Sequence, residues 1–276
     1  MASALLYTPA LINLAYVQTH RGLEAAETSD DGLLLQFIVE ASAEFQEACE
    51  RVLMPYTATH KFGANSLRGV ELVLRRDLLA VTTITNAGGG TVSGSVYNLR
   101  PDDIYPKTTV ELTSASGSYW DITYNEDRVQ IAGIWGYAPN YARAWKSTTT
   151  LAEALDSSET AVDVASATNI SAGDHILVES EQMYVTSIAT NTLTVERGVN
   201  GTTAAAHDNA LAVYVYQQLA DIKSAVREMV VWKYLHKDSV GSVTVFDGTT
   251  IQVEGLDPQV DKTRIRHTRR QSMLAV

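Results

Sequence analysis

The chain has a single cysteine in 276 residues, which excludes an internal disulfide framework and any multi-cysteine zinc site. Cys49 falls on a helical pattern with Phe45, Ala48 and Val52, and no cation in that pattern is placed to activate it. It reads as a packed, inert thiol. Long apolar runs are missing too. The most apolar stretch, residues 222–235, is broken by Lys223, Arg227, Glu228 and Lys233, whereas a bilayer-spanning helix needs ~20 mostly apolar residues. Residues 1–19 are apolar but lack a basic n-region and a clear small-residue cleavage site, so no secretory leader is expected. Without one, the sequons at Asn169 and Asn200 carry little meaning.

Positive charge is scarce, with 21 Lys and Arg against 32 Asp and Glu, a net charge of −11. It is also unevenly spread. Residues 261–276 hold Lys262, Arg264, Arg266, Arg269 and Arg270 against Asp261 alone, a local +4 that leaves −15 on residues 1–260. An acidic body has the wrong sign for non-specific binding to phosphate. A basic tail on such a body points to an acidic surface on another chain, with a solvated, frayed terminus as the bland alternative.

Catalytic patterns are sparse. Histidines 20, 60, 175, 207, 236 and 267 are scattered, with no HxH or HExxH grouping. There is no Gly-x-Ser-x-Gly elbow, and Gly88-Gly89-Gly90 lacks the Lys-Ser/Thr of a phosphate loop, so it reads as a hairpin tip. Glu179 and Glu181 are expected to share one face of a strand, a superficial likeness to a glycosidase pair, although neighbouring acids on a solvated strand are commoner. No catalytic residue, metal site or cofactor is expected. Phenylalanine is rare (4) beside tyrosine (13), a balance that suits half-wet interfaces. Trp135, Tyr137, Tyr141 and Trp145 group around one Trp-Gly-Tyr step, as an intersubunit contact or as packing at a module junction.

What is present is an α+β pattern: helices towards the two ends and β modules between them. Leu34, Phe37, Ile38, Ala41, Phe45, Ala48 and Val52 predict a helix over 30–54, capped from Ser29, Asp30 or Asp31 and stopped by Pro55. A shorter helix is expected over 9–19, entered at Thr8-Pro9, and another over 219–237 that packs on the first. Residues 67–137 read as strands and hairpins. Residues 148–216 read as a self-contained β module, a small sandwich or barrel, with strands near 160–164, 175–178, 182–188, 192–195 and 211–216. Residues 243–253 predict one more hairpin. The domain reading is therefore a helical core with a β-hairpin region over 1–139 and 218–260, an inserted β module over 140–217, and a basic tail over 261–276.

Three stretches, taken in order, resemble the head–tail connector (adaptor, or head-completion) proteins of tailed phages. The first runs from Asp30-Asp31-Gly32-Leu33-Leu34-Leu35 through Ala41-Ser42-Ala43 to Cys49-Glu50-Arg51. The second joins Arg76-Asp77-Leu78-Leu79-Ala80-Val81-Thr82-Thr83-Ile84 to the later Val129-Gln130-Ile131-Ala132-Gly133-Ile134-Trp135-Gly136-Tyr137. The third is Leu219-Ala220-Asp221-Ile222-Lys223-Ser224-Ala225-Val226. Simpler relatives pass from the Trp-Gly-Tyr step to the last helix within a few residues. Here residues 140–217 intervene, and their segment from Arg197 to His207 is itself similar to a β module of phage structural proteins.

The resemblance implies a non-enzymatic virion protein of the neck, assembled in the host cytoplasm. It implies a homo-oligomeric, usually dodecameric ring under the portal, with helical subunit interfaces, a further neck or tail protein below, and DNA passing through the channel without sequence-specific binding. Lys262, Arg264, Arg266, Arg269 and Arg270 are the expected portal-docking residues. Other readings are a receptor- or glycan-binding fibre module, a stopper or tail-terminator ring, and a hydrolase using Glu179 and Glu181.

Overall fold

The computed structural model describes residues 9–20, 28–113, 119–120, 128–237, 243–244, 250–251 and 257–269. Among the described residues the fold is mixed α and β, with four helices and two six-stranded antiparallel sheets. Two compact units divide the chain: Val52–Ala144 with Asn200–Thr202, and Met1–Arg51 with Trp145–Val199 and Thr203–Val276.

The smaller unit holds β1 (Tyr56–Phe62), β2 (Leu67–Arg68), β3 (Glu71–Thr85), β4 (Tyr97–Arg100), β5 (Lys107–Leu112) and β6 (Val129–Trp135). They pair in the order β1-β6-β3-β5-β4, with β2 on β3. β6 alternates strictly, burying Val129, Ile131, Gly133 and Trp135, which is the period expected of a strand with one face in a core. Gly88-Gly89-Gly90 does form a hairpin tip: Thr85 bridges Thr91, and Asn86 N donates to Gly90 O. β1 was not expected. Its ends, Tyr56 and Phe62, are buried while the five residues between are exposed or half-buried, so it lacks the aliphatic alternation that marks a strand.

The larger unit contains β7 (Trp145–Thr150), β8 (Ala161–Asp163), β9 (His175–Val178), β10 (Glu181–Ala189), β11 (Thr192–Glu196) and β12 (Ala212–Tyr216). Their order is β7-β12-β9-β10-β11-β8. The two end strands also meet. Leu151 bridges Val164, Ala152 N donates to Asp163 O, and Ala165 N donates to Thr150 O. The sheet thereby curls onto itself around Leu151, Val162, Ile176, Met183, Leu193 and Val213, and neither end strand is left as an open edge at this point.

His175 lies fully buried beside this core, its ring 5.1 Å from that of Tyr184 and its Nε2 without a hydrogen-bond partner. Burial alone holds its pKa down at about 3. A folded value below the ordinary one means that the neutral ring supports the fold fully above the unfolded value, and that this support fades as pH falls from about 6.5 towards 3. Relative to wild type, His175→Leu is therefore expected to gain on the order of 3 kcal/mol between pH 7 and pH 4. Urea titrations at both pH values measure this, and parallel acid losses in the two proteins would rule it out.

The helices of the larger unit are α1 (Leu14–Gln18), α2 (Asp31–Ala48), α3 (Ala220–Leu235) and α4 (Pro258–His267). α2 packs on α3, as expected. It ends at Ala48, earlier than the helix predicted to run to Pro55. Glu50 adopts φ +53, Arg51 N donates to Gln46 O and Glu50 N to Glu47 O, so a left-handed turn caps the last carbonyls before proline is reached. Asp30 occupies the N-cap position but makes no capping bond. Its carboxylate accepts instead from Tyr234 Oη (2.5 Å) and Lys237 Nζ (3.2 Å), fastening the end of α3 to the start of α2.

α1 begins at Leu14, later than Pro9, with Asn13 as its cap. Pro9, Ala10, Leu11 and Ile12 run in non-helical conformation and are all buried, a pattern that a one-faced helix cannot produce. Val243–Thr244 and Thr250–Ile251 pair as β13 and β14, the hairpin expected near 243–253.

Candidate docking surface

α4 carries part of the basic segment. Asp257 caps it by accepting from Gln259 N (2.7 Å), Pro258 opens it, and Arg264, Arg266 and His267 sit in the last turn, where the helix dipole favours cations. Val260 and His267 are buried. His267 Nε2 and Arg266 Nη1 both reach Asp221 Oδ2 on α3 at 2.9 Å. Burial pushes the Asp221 carboxyl up, but the His267 hydrogen bond and charge, with the Arg266 bond, outweigh it and hold it below its usual range. Arg269 N donates to Cys49 O at 3.2 Å, and the buried Cys49 thiol is pushed up to about 11 by burial.

The expected docking residues thus differ in setting. Lys262 is exposed, and Arg266 is two-thirds exposed despite its ion pair. Arg264 is half-buried and paired with Asp261 at 2.8 Å. Arg269 lies past the helix, and Arg270 falls outside the described residues. Between Lys262 and Arg266 on the outer face stands Ile265, 52% exposed.

Beside α4 runs a groove of ≈ 430 Å³ lined by Met229, Trp232, Leu235 and Val260, with Glu44, Glu228 and Asp257 among the charged residues around it. Trp232 is 47% and Leu235 63% exposed, and the Trp232 ring stacks on His236 at 4.8 Å. α3 therefore has two apolar stripes. Ile222, Ala225, Val226, Val230 and Val231 are buried, while Met229, Trp232 and Leu235 form a second stripe at three-residue spacing. The sequence pattern suggests a single face of Ile222, Ala225, Val226, Met229, Val230 and Lys233; Met229 falls instead in the second stripe, which that pattern does not single out.

The grouped aromatics have separate neighbours. Trp135 is wholly buried between His60 and Phe62, with its indole N–H on Ala58 O at 3.0 Å. That makes it a core residue of its own unit. Tyr141 meets Tyr105, and Trp145 meets Tyr216. Tyr137 is half-buried, its backbone N–H on Val52 O.

Glu179 and Glu181 do not share a strand face. Glu179 sits in the turn between β9 and β10 with φ +52, and Glu181 opens β10 at 1% exposure. One histidine collects both: His207 Nδ1 lies 2.8 Å from Glu179 Oε2, and Nε2 lies 2.8 Å from Glu181 Oε2. Arg197 grips Glu181 with two parallel bonds of 2.7 and 2.8 Å. Its remaining N–H groups reach the carbonyls of Asp156, Glu159 and Ala205, so all five guanidinium donors are used. Gly198 N and Ala205 N complete the shell of Glu181. Every oxygen of that carboxylate is occupied from within the chain, which makes it an anchor for the 197–207 loop.

Among the described residues, no group of three or more His, Cys, Asp and Glu side chains is arranged to hold a metal ion, and no helix is long and apolar enough to cross a membrane. No family model and no curated protein matches the chain.

Proposed function

We propose that the protein is a structural virion component, a head–tail connector (adaptor) subunit that forms a homo-oligomeric ring beneath the portal and extends the DNA channel towards the tail. The observation that carries the reading is the apolar stripe of half-buried Met229 and exposed Trp232 and Leu235 on α3, with Lys262, Ile265 and Arg266 facing outward from α4, the helix that packs on α3. A half-exposed tryptophan in an apolar groove is the kind of group that anchors protein–protein contacts.

The motif order supports it further. The first motif lies along α2 and the third opens α3, two helices that pack on each other. The two halves of the second motif, far apart in sequence, are hydrogen-bonded neighbours, with Leu78 opposite Trp135 and Ile84 opposite Ile131. In this reading a neighbouring copy covers the Trp232 groove, the basic residues from Lys262 to Arg270 meet acidic portal surface, and residues 140–217 are an inserted β module that decorates the ring.

The test is a pull-down of the purified chain on isolated portal rings, followed by imaging in projection. The expected image is a ring stacked coaxially on the portal, with Trp232→Asp abolishing the closed ring. Absence of portal binding, with the protein recovered on glycans or at fibre tips, would overturn the proposal in favour of a receptor-binding module.

A further inference from the structure

α3 and α4 present two surfaces of opposite character. The first is the groove in which Trp232 and Leu235 stand exposed, and its charged lining holds Glu44, Glu228 and Asp257 against Lys233. The carboxylates keep solvent contact: the Glu44 side chain is 54% and that of Glu228 38% exposed, although Glu44 accepts from Lys233 at 2.7 Å and Glu228 from Arg227 at 3.2 Å. The second surface is the outward face of α4. Pro258, Gln259, Lys262, Ile265 and Arg266 are all exposed there, at three- and four-residue spacing and with no carboxylate among them. Arg266 stays two-thirds exposed while it holds Asp221. The 3.6-residue turn puts Lys262, Ile265 and Arg266 on the far side of the helix from Val260, which lines the groove.

We infer that these two surfaces meet between copies: Ile265, flanked by Lys262 and Arg266, seats in the Trp232 groove of the next copy, so that self-association runs head to tail. The charges decide the pairing. Two grooves face to face would press the same carboxylates together, and two α4 faces would press Lys262 and Arg266 against their own kind. Like charges brought together at an interface cost affinity and suppress that arrangement. Groove against α4 face instead sets carboxylates opposite cations. The apolar parts agree as well. Ile265, 52% exposed, brings an aliphatic side chain to the exposed Trp232 and Leu235. The methylene stems of Lys262 and Arg266 cover the rim while their charged heads stay beside its acids.

Because the two halves lie on opposite sides of α4, a copy whose α4 is seated still offers its own groove. Association therefore continues copy by copy, and it closes into a ring where the rotation between copies allows. The inference rests on the adaptor reading only in taking a second copy as the occupant of the groove. It divides the basic segment more finely than that reading does: Lys262 and Arg266 turn to the neighbouring copy, and Arg269 and Arg270 remain for the portal.

Cysteine cross-linking in the full chain reads the contact, since the native Cys49 is buried. Two single variants, Ile265→Cys and Leu235→Cys, are mixed and oxidised with copper–phenanthroline, with and without portal rings. A covalent dimer is expected from the mixture and from neither variant alone. Lys262→Glu, at an exposed position, is expected to weaken self-association roughly fivefold to tenfold at low salt and by much less at high salt. Three results would each overturn the inference. One is no dimer from the mixture in either condition, with the groove taken by the portal or by the chain's own tail. Another is a dimer from either variant alone, groove on groove or α4 on α4. The third is Lys262→Glu associating as the wild type does. A coaxial ring on the portal without the cross-link would sink this contact and leave the adaptor reading standing, and the cross-link without portal binding would do the reverse.

Discussion

Replacing Arg197 by alanine is expected to remove about 3–5 kcal/mol of stability, read as a lower urea midpoint with an unchanged slope. The guanidinium is 6% exposed and Glu181 1% exposed, so the variant leaves a buried carboxylate with its charge and without its bidentate partner. The carbonyls of Asp156, Glu159 and Ala205 lose their donor in the same step, and unmade buried bonds cost more than made ones contribute. Arg197→Lys is expected to recover little, since one ammonium cannot serve five directions in a plane. The double change Arg197→Met with Glu181→Gln should recover much of the loss, because it takes the stranded charge away.

The Glu181 carboxyl is pushed up by burial, yet its bonds from Arg197, Ala205 and His207 outweigh that and hold it below its ordinary value. The sign follows: its support is present above the unfolded value and is lost as pH falls through the depressed folded one. A loss under 1 kcal/mol in Arg197→Ala would show that the network is solvated and idle.

Gly136→Ala is expected to cost about 3 kcal/mol or more, enough to leave the protein largely insoluble. Gly136 has φ +124, and an added Cβ would lie 2.1 Å from Met54 O and 2.8 Å from Met54 C, both backbone atoms. The neighbouring bonds, Gly136 N to Asp77 O (2.8 Å) and Tyr137 N to Val52 O (2.7 Å), press these strands of chain together and leave nowhere to move. Gly32, in the first turn of α2 with open space where a Cβ would stand, is the control. Gly32→Ala should gain up to about 1 kcal/mol, for the lower backbone entropy of the unfolded chain. Thermal melts of the two variants test the pair. An alanine tolerated at 136 would mean that the Trp-Gly-Tyr step does not require glycine.

How far the sequence could be read depended on where each segment's bonds go. β9 and β11 carry aliphatics at alternate or successive positions, and their expected bounds match within a residue. β1 (YTATHKF) and β7 (WKSTTT) are polar and threonine-rich, and both were missed. They are strands because a partner supplies the ladder: β6 pairs with β1 along its whole length, and β12 does the same for β7. The early end of α2 follows similar logic. Residues 49–53 keep helical spacing, but the cap at Glu50 turns the chain first.

For the candidate surfaces, the type of chemistry was legible and the partners were not. The sequence announced a basic segment and two acids near 180. It could not show that Asp221 holds Arg266 and His267, or that His207 and Arg197 close over Glu181, because these partners are 16 to 46 residues away.

By itself the sequence determined the α+β class, the helix and strand types of the strongly periodic segments, and the uneven charge. Those properties rest on side-chain period and composition, which are local. Tertiary structure alone decided that the β7–β12 sheet closes through Leu151 and Val164, that Trp135 is core while Trp232 is surface, and that Glu181 and Asp174 lie buried under loops. Each of these depends on which distant backbone arrives to satisfy a hydrogen bond or exclude water, and that is settled only when the whole chain packs.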